Sequence, residues 1–83
     1  MNANEIKKRV LKAVSDKTCI AGSDIKNGDK LYDDLGMDSL ERVELVTVLE
    51  QEFDVSISDP EFNAIEQMSV AELSDFMVQK AEK

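Results

Sequence analysis

The sequence predicts an all-α fold: a four-helix bundle of three main helices and a short third one, with a long loop between helices 1 and 2. Three observations predict it. Apolar residues recur at spacings of three and four along separate stretches, the period of a helix with one buried face. One proline and three glycines in 83 residues leave few interruptions, which favours long helices over many short strands. Aromatic residues make up only 5% and tryptophan is absent, which argues against a β-sandwich core. With 42% apolar and 34% charged residues, the chain has material for one core, and its length sets one domain over residues 1–83. Such a short chain buries only about 60% of its unfolded surface, so its stability is marginal.

The first helix is expected over residues 3–16. Ile6, Val10, Ala13 and Val14 share one face, and Lys7, Lys8, Arg9 and Lys12 fill the other. Asn2 and Glu5 have the spacing of a capping box. Residues 17–37 follow as a connection, with turn signals at Gly22, Asn27-Gly28 and Gly36. Ile20, Ile25, Leu31 and Leu35 are placed to pin it to the core, since a loop of this length in a small domain is usually functional or partly structured. Cys19, beside Ile20, reads as a small apolar filler.

The second helix is the clearest, over residues 39–53. Asp38 is its N-cap and Glu41 occupies the capping-box position. Leu45, Val46, Leu49 and Phe53 form its buried face, while Leu40, Val43 and Val48 lie off that stripe. The stretch DVSIS is extended, with Val55 and Ile57 turned inward. Asp59-Pro60 reads as an N-cap followed by proline at the first helical position, opening a short helix over about 59–65. Ser69 and Glu72 then have capping-box spacing. Val70, Leu73, Phe76, Met77 and Lys80 mark the face of a last helix that frays at its end.

Charge excludes several partners. The net charge is -8, so nothing neutralises the phosphates of a nucleic acid, and an anionic membrane surface is excluded for the same reason. Residues 1–30 carry seven basic against four acidic side chains, whereas residues 31–54 carry one basic against eight acidic. Basic patches on other proteins are the natural partners of such a surface. A single cysteine permits no intramolecular disulfide, and the absence of histidine removes the Ser-His-Asp triad, the Cys-His pair and histidine metal ligation. No metal site is expected. Asp24, Asn27, Gly28, Asp29, Asp33 and Asp34 suggest a calcium loop, but Lys26 stands at its third position and the glycine comes one place early. No apolar run reaches membrane-spanning length, and the N-terminus has no secretory apolar segment. A cytoplasmic monomer is expected.

The most acidic stretch holds one serine, Ser39, between Asp38 and Leu40. As a nucleophile it needs a base to take its proton, yet no histidine exists and no lysine lies between Lys30 and Lys80. As a first-turn residue beside an aspartate cap it needs no further explanation. As a point of attachment it needs no base of its own, only exposure and a helix N-terminus favourable to negative charge.

The stretch DDLGMDSLERVELVTVLEQEF, Asp33 to Phe53, resembles the signature of acyl carrier proteins. It has D-S-L at the start of the second helix, L-G before it, V-E-L-V after it and an acidic end closed by phenylalanine. DVSIS, SVAEL and DFM resemble later landmarks of that family, so the similarity runs over nearly the whole chain, and the family's four-helix fold agrees with the periodicity.

The resemblance implies that Ser39 receives 4'-phosphopantetheine from coenzyme A through a phosphopantetheinyl transferase (a holo-synthase). The arm would carry growing acyl chains as thioesters to enzymes of fatty acid biosynthesis, or to related acyl-transfer enzymes, through their basic docking patches. The protein itself would be no enzyme. Asp38, Glu41, Glu44 and Glu50 match acidic partner-contact positions. Leu40 and Val43 would be apolar contacts, and Thr47 stands on the same partner-facing side. Val46, Leu49, Ile57, Ile65, Met68 and Met77 would line the space for the acyl chain.

Some residues depart from the family pattern. Arg42 brings a positive charge where a small or neutral residue is usual, Thr47 replaces an apolar one, and Gln51 replaces an acidic one. The segment FNAIEQM is about two residues longer than usual, with a bulky Phe62. These departures raise a carrier dedicated to a polyketide, special lipid or aminoacyl pathway as an alternative. A small acidic helical adaptor without a prosthetic group is the alternative from a different class.

Overall fold

A computed structural model describes residues 1–81 of the chain. Four α-helices follow in order: α1 (Ala3–Thr18), α2 (Ser39–Phe53), α3 (Asp59–Ile65) and α4 (Val70–Ala81), with a 3-10 turn at Gly22–Asp24 between the first two. The helical bundle expected from periodicity is what forms, and its dimensions are 31 × 27 × 18 Å. Among the described residues, no helix is long and apolar enough to cross a membrane.

Three helices make the frame. α1 packs against both α4 and α2. Ile6, Val10 and Val14 from α1 meet Leu45 and Leu49 from α2 and Leu73 and Met77 from α4, and all of these are sealed from solvent. Burying a side chain of this size removes roughly 1.5–3 kcal/mol of unfavourable hydration, so this centre carries the fold.

Helix ends follow the local chemistry. Asn2 caps α1 by accepting the Glu5 N–H at 2.9 Å. The reciprocal half of that box does not form, because the Glu5 carboxylate pairs with Arg9 instead. α1 runs two residues past the expected end, and Cys19 closes it in a left-handed conformation at φ 59°. Cys19 is exposed, which corrects its reading as apolar filler: it is a helix terminus, and its side chain points away from the core. The opening of α3 is corrected by one residue. Ser58 is the cap, bonded to Glu61 in both directions of a capping box, and Pro60 is the second helical residue. Ser69 and Glu72 form the expected box at α4. Residues 82–83, where the last helix was expected to fray, lie outside the described residues.

The long connection is built into the structure. Leu31 and Met37 are fully buried and Ile25 nearly so, while Ile20 and Leu35 pack half-buried against the core. Carbonyls of the loop also complete α4. Asp29 O accepts the Val70 N–H at 2.9 Å and Asn27 O accepts the Ala71 N–H at 2.9 Å, two donors that no preceding helical turn satisfies. Lys30 and Ser69 form an isolated antiparallel bridge. Val55 and Ile57, expected inside, are half-buried, because the extended segment crosses the rim of the bundle.

Candidate functional site

Ser39 is the first residue of α2. Asp38 before it accepts the Glu41 N–H at 2.8 Å, and Glu41 returns a carboxylate to the Asp38 N–H at 3.1 Å. This box fixes the first turn and leaves the Ser39 side chain exposed. The chain reaches the cap through Gly36, whose φ of +69° is one that L side chains rarely adopt, and through Met37, which is buried and anchors the entry.

One turn further on stands Arg42, which is only 7% exposed. Its Nη2 donates to Ser39 Oγ at 3.2 Å. Its Nη1 lies 3.1 Å from Glu66 Oε1, just past the end of α3. The Tyr32 ring, from the long loop, lies under the guanidinium, with Cζ 4.2 Å from the ring centroid. Nε is buried and has no hydrogen-bond partner among the described residues. The departure from the family pattern seen in the sequence is therefore an inward-facing cation that joins loop, α2 and α3 at the serine. The signal for burial was present: Arg42 precedes Leu45 by three residues and Val46 by four, which places it on the buried stripe. Nothing in the spacing names Tyr32 or Glu66 as its partners.

This arrangement does not activate the hydroxyl as a nucleophile. A guanidinium has only donors and no acceptor, so Ser39 Oγ receives a hydrogen bond from it and loses no proton to it.

Around the serine the surface is mixed. Leu40 is 67% and Val43 50% exposed, as their places off the core stripe require. Asp38, Glu44 and Thr47 are exposed and Glu41 half-buried. Glu44 lies 4.0 Å from Lys17, and the Thr47 hydroxyl donates to Val43 O at 3.0 Å. Glu50 has an internal task as well: its carboxylate accepts the Ile57 N–H at 2.8 Å and ties down the extended segment.

Between α2 and the extended segment before α3 lies an open groove of about 290 Å³, lined by Val43, Val46, Thr47, Glu50, Ile57, Asp59 and Phe62. Of the residues expected to line an acyl space, Val46 and Ile57 are on it. Leu49, Ile65 and Met77 are instead close-packed in the core behind, and Met68 is half-buried after α3. Phe62, noted in the sequence only for its bulk, forms part of the wall.

The family model described as a phosphopantetheine attachment site matches residues 8–77. The chain belongs to this family. It is a carrier domain and not a catalytic one, and the group it carries is a covalently attached 4'-phosphopantetheine. Carriers of this kind work with a phosphopantetheinyl transferase and with acyl-transfer enzymes. In this carrier the match opens within α1 and closes within α4, so it takes in Ser39, Arg42, Tyr32 and Glu66.

Proposed function

We propose that Ser39 is the point of attachment and that the carrier presents growing acyl chains to enzymes of fatty acid biosynthesis. One observation carries this reading: an exposed hydroxyl on the first turn of α2, ringed by exposed apolar and acidic side chains. The residues fit a phosphodiester. The N-terminus of α2 favours negative charge, and a buried cation with an unsatisfied nitrogen stands beside the hydroxyl. In the loading step, catalysed by the transferase, a bond forms between Ser39 Oγ and the phosphorus that bears the pantetheine. The pyrophosphate P–O bond of coenzyme A breaks, the hydroxyl proton is lost, and adenosine bisphosphate leaves.

The arm, once bound, supplies a terminal thiol on which acyl groups ride as thioesters. The chain supplies everything else. Asp38, Glu41, Glu44 and Glu50 steer the basic docking patches of successive enzymes. Leu40 and Val43 fill small apolar pockets on them, with Thr47 at the edge of the same surface. Val46, Ile57 and Phe62 offer an apolar wall for the cargo. Leu49, Ile65 and Met77 in the core behind, with the half-buried Met68, include two methionines that repack readily when the groove widens. The carrier acts as a single-domain monomer in the cytoplasm.

Intact-mass measurement tests the attachment. Incubation with coenzyme A and a phosphopantetheinyl transferase adds one phosphopantetheine to the wild type and none to Ser39→Ala, which keeps the fold because the Ser39 side chain is exposed. A wild type that gains no mass under conditions that load a known carrier removes the reading.

The buried Arg42 favours a second reading, a carrier dedicated to one polyketide, lipid or aminoacyl pathway, because it sets a cation directly against the serine itself. Mass spectrometry of the protein isolated from its own cells identifies the cargo. Fatty acyl intermediates of graded length support the first reading, and a single unusual acyl or an aminoacyl group supports the second.

A further inference from the structure

We propose that Arg42 is a positioning residue that grips the phosphate joining Ser39 to its arm and thereby fixes the direction in which the arm leaves the protein. The inference rests on attachment at Ser39. Three observations carry it. The Nη2 group already reaches Ser39 Oγ, at 3.2 Å. The guanidinium is held from behind by Glu66 at 3.1 Å and from one face by the Tyr32 ring at 4.2 Å, so it is a fixed donor and not a mobile surface cation. Its Nε is buried without a partner among the described residues, an uncommon defect for a side chain with five donors.

Esterification changes the acceptor that this cation faces. The hydroxyl oxygen becomes an ester oxygen, a poorer acceptor, and the two phosphate oxygens that share the negative charge stand two bonds beyond it, across the phosphorus. A guanidinium that reaches the hydroxyl therefore meets an anionic acceptor in the loaded form, so that donor and acceptor both carry charge, as in the strong arginine–phosphate pairs. Glu66 does not compete for the same atom: it engages Nη1, and Nη2 faces the serine. The fork geometry lets one guanidinium hold a carboxylate on one side and a phosphate on the other, which a lysine ammonium does less well.

The sign of a stability change separates this arrangement from a bystander. The protein carries a net charge of -8, with Asp38 and Glu41 beside the serine. An added negative charge there, without a partner, lowers stability through repulsion. Gripped by Arg42, it raises stability instead.

Intact mass is measured first, so that loading is known. On the loaded wild type, side-chain nitrogen–proton resonances of Arg42 are expected to move relative to the apo form. The phosphorus resonance is expected to be broadened by restricted motion. Loading is expected to raise the Tm of the wild type by about 4 °C or more, to leave unchanged or lower that of Arg42→Gln, and to give an intermediate gain in Arg42→Lys. The wild-type spectra need no variant to fold. A loaded wild type with unchanged Arg42 resonances and no rise in Tm overturns this inference and leaves the attachment standing. No mass gain in the wild type overturns both.

Discussion

The frame of α1, α2 and α4 and the short helix α3 are held by different forces. In the frame, fully buried aliphatic side chains from three helices interlock, and α1 packs broadly on both of its partners. α3 has seven residues and contributes one fully buried anchor, Ile65, at 2% exposure. Ion pairs hold it at both ends. Glu61 near its start receives Lys80 of α4 at 2.6 and 2.8 Å, and Glu66 past its end receives Arg42 of α2 at 3.1 Å. The helix beside the groove is thus fastened by contacts that a change of charge can release, while the frame behind it is fastened by contacts that water excludes.

The largest expected effect lies in the frame. Leu49→Ala removes a fully buried side chain from α2 and is expected to cost about 2–5 kcal/mol, read as a lower urea midpoint with an unchanged slope. All helices should lose hydrogen-exchange protection together. Loss of protection confined to α3 would show that the frame does not set global stability.

Removing an anchor of α3 should act more locally. Glu66→Ala leaves the buried Arg42 guanidinium without its carboxylate. Breaking a fully buried pair costs about 3–5 kcal/mol, but Glu66 is one-third exposed, so about 2 kcal/mol is expected. Amide exchange should accelerate in α3 first and only slightly in α1 and α4. Uniform acceleration would mean that α3 and the frame are one cooperative unit.

The smallest effect is expected at the other end of α3 and depends on pH. Hydrogen bonds from Lys80, then from the Ser58 backbone, lower the Glu61 carboxyl from an ordinary 4.5 to about 2. A carboxyl depressed in the folded state stabilises fully above its unfolded pKa and loses that contribution as pH falls through the folded value. Glu61→Gln should therefore melt below the wild type at neutral pH, and the gap should close between about pH 4.5 and pH 2. A constant gap across that window would show that the substitution acts through shape or capping rather than through charge.

The site was legible in the sequence to different depths. Ser39, its Asp38–Glu41 box and the exposure of Leu40 and Val43 followed from capping chemistry and helical spacing, both of which act within one turn. The short helix at 59–65 was legible for the same reason, although the choice between Ser58 and Asp59 as cap was not, since both residue types suit that place. Of the six residues expected to line an acyl space, Val46 and Ile57 stand on the groove; spacing shows that a residue faces inward but not whether it meets a groove or a packed neighbour.

The sequence by itself determined the helices, the caps of all but α3, the acidic segment around Ser39 and the family signature, because propensity, periodicity and charge are properties of neighbours along the chain. The tertiary structure alone decided what Arg42 does. Its spacing turned it inward, but burial of a guanidinium needs counter-groups. Those come from Tyr32, ten residues before it, and Glu66, twenty-four residues after it. Only packing of the loop and α3 against α2 brings the three side chains to one place, beside the hydroxyl of Ser39.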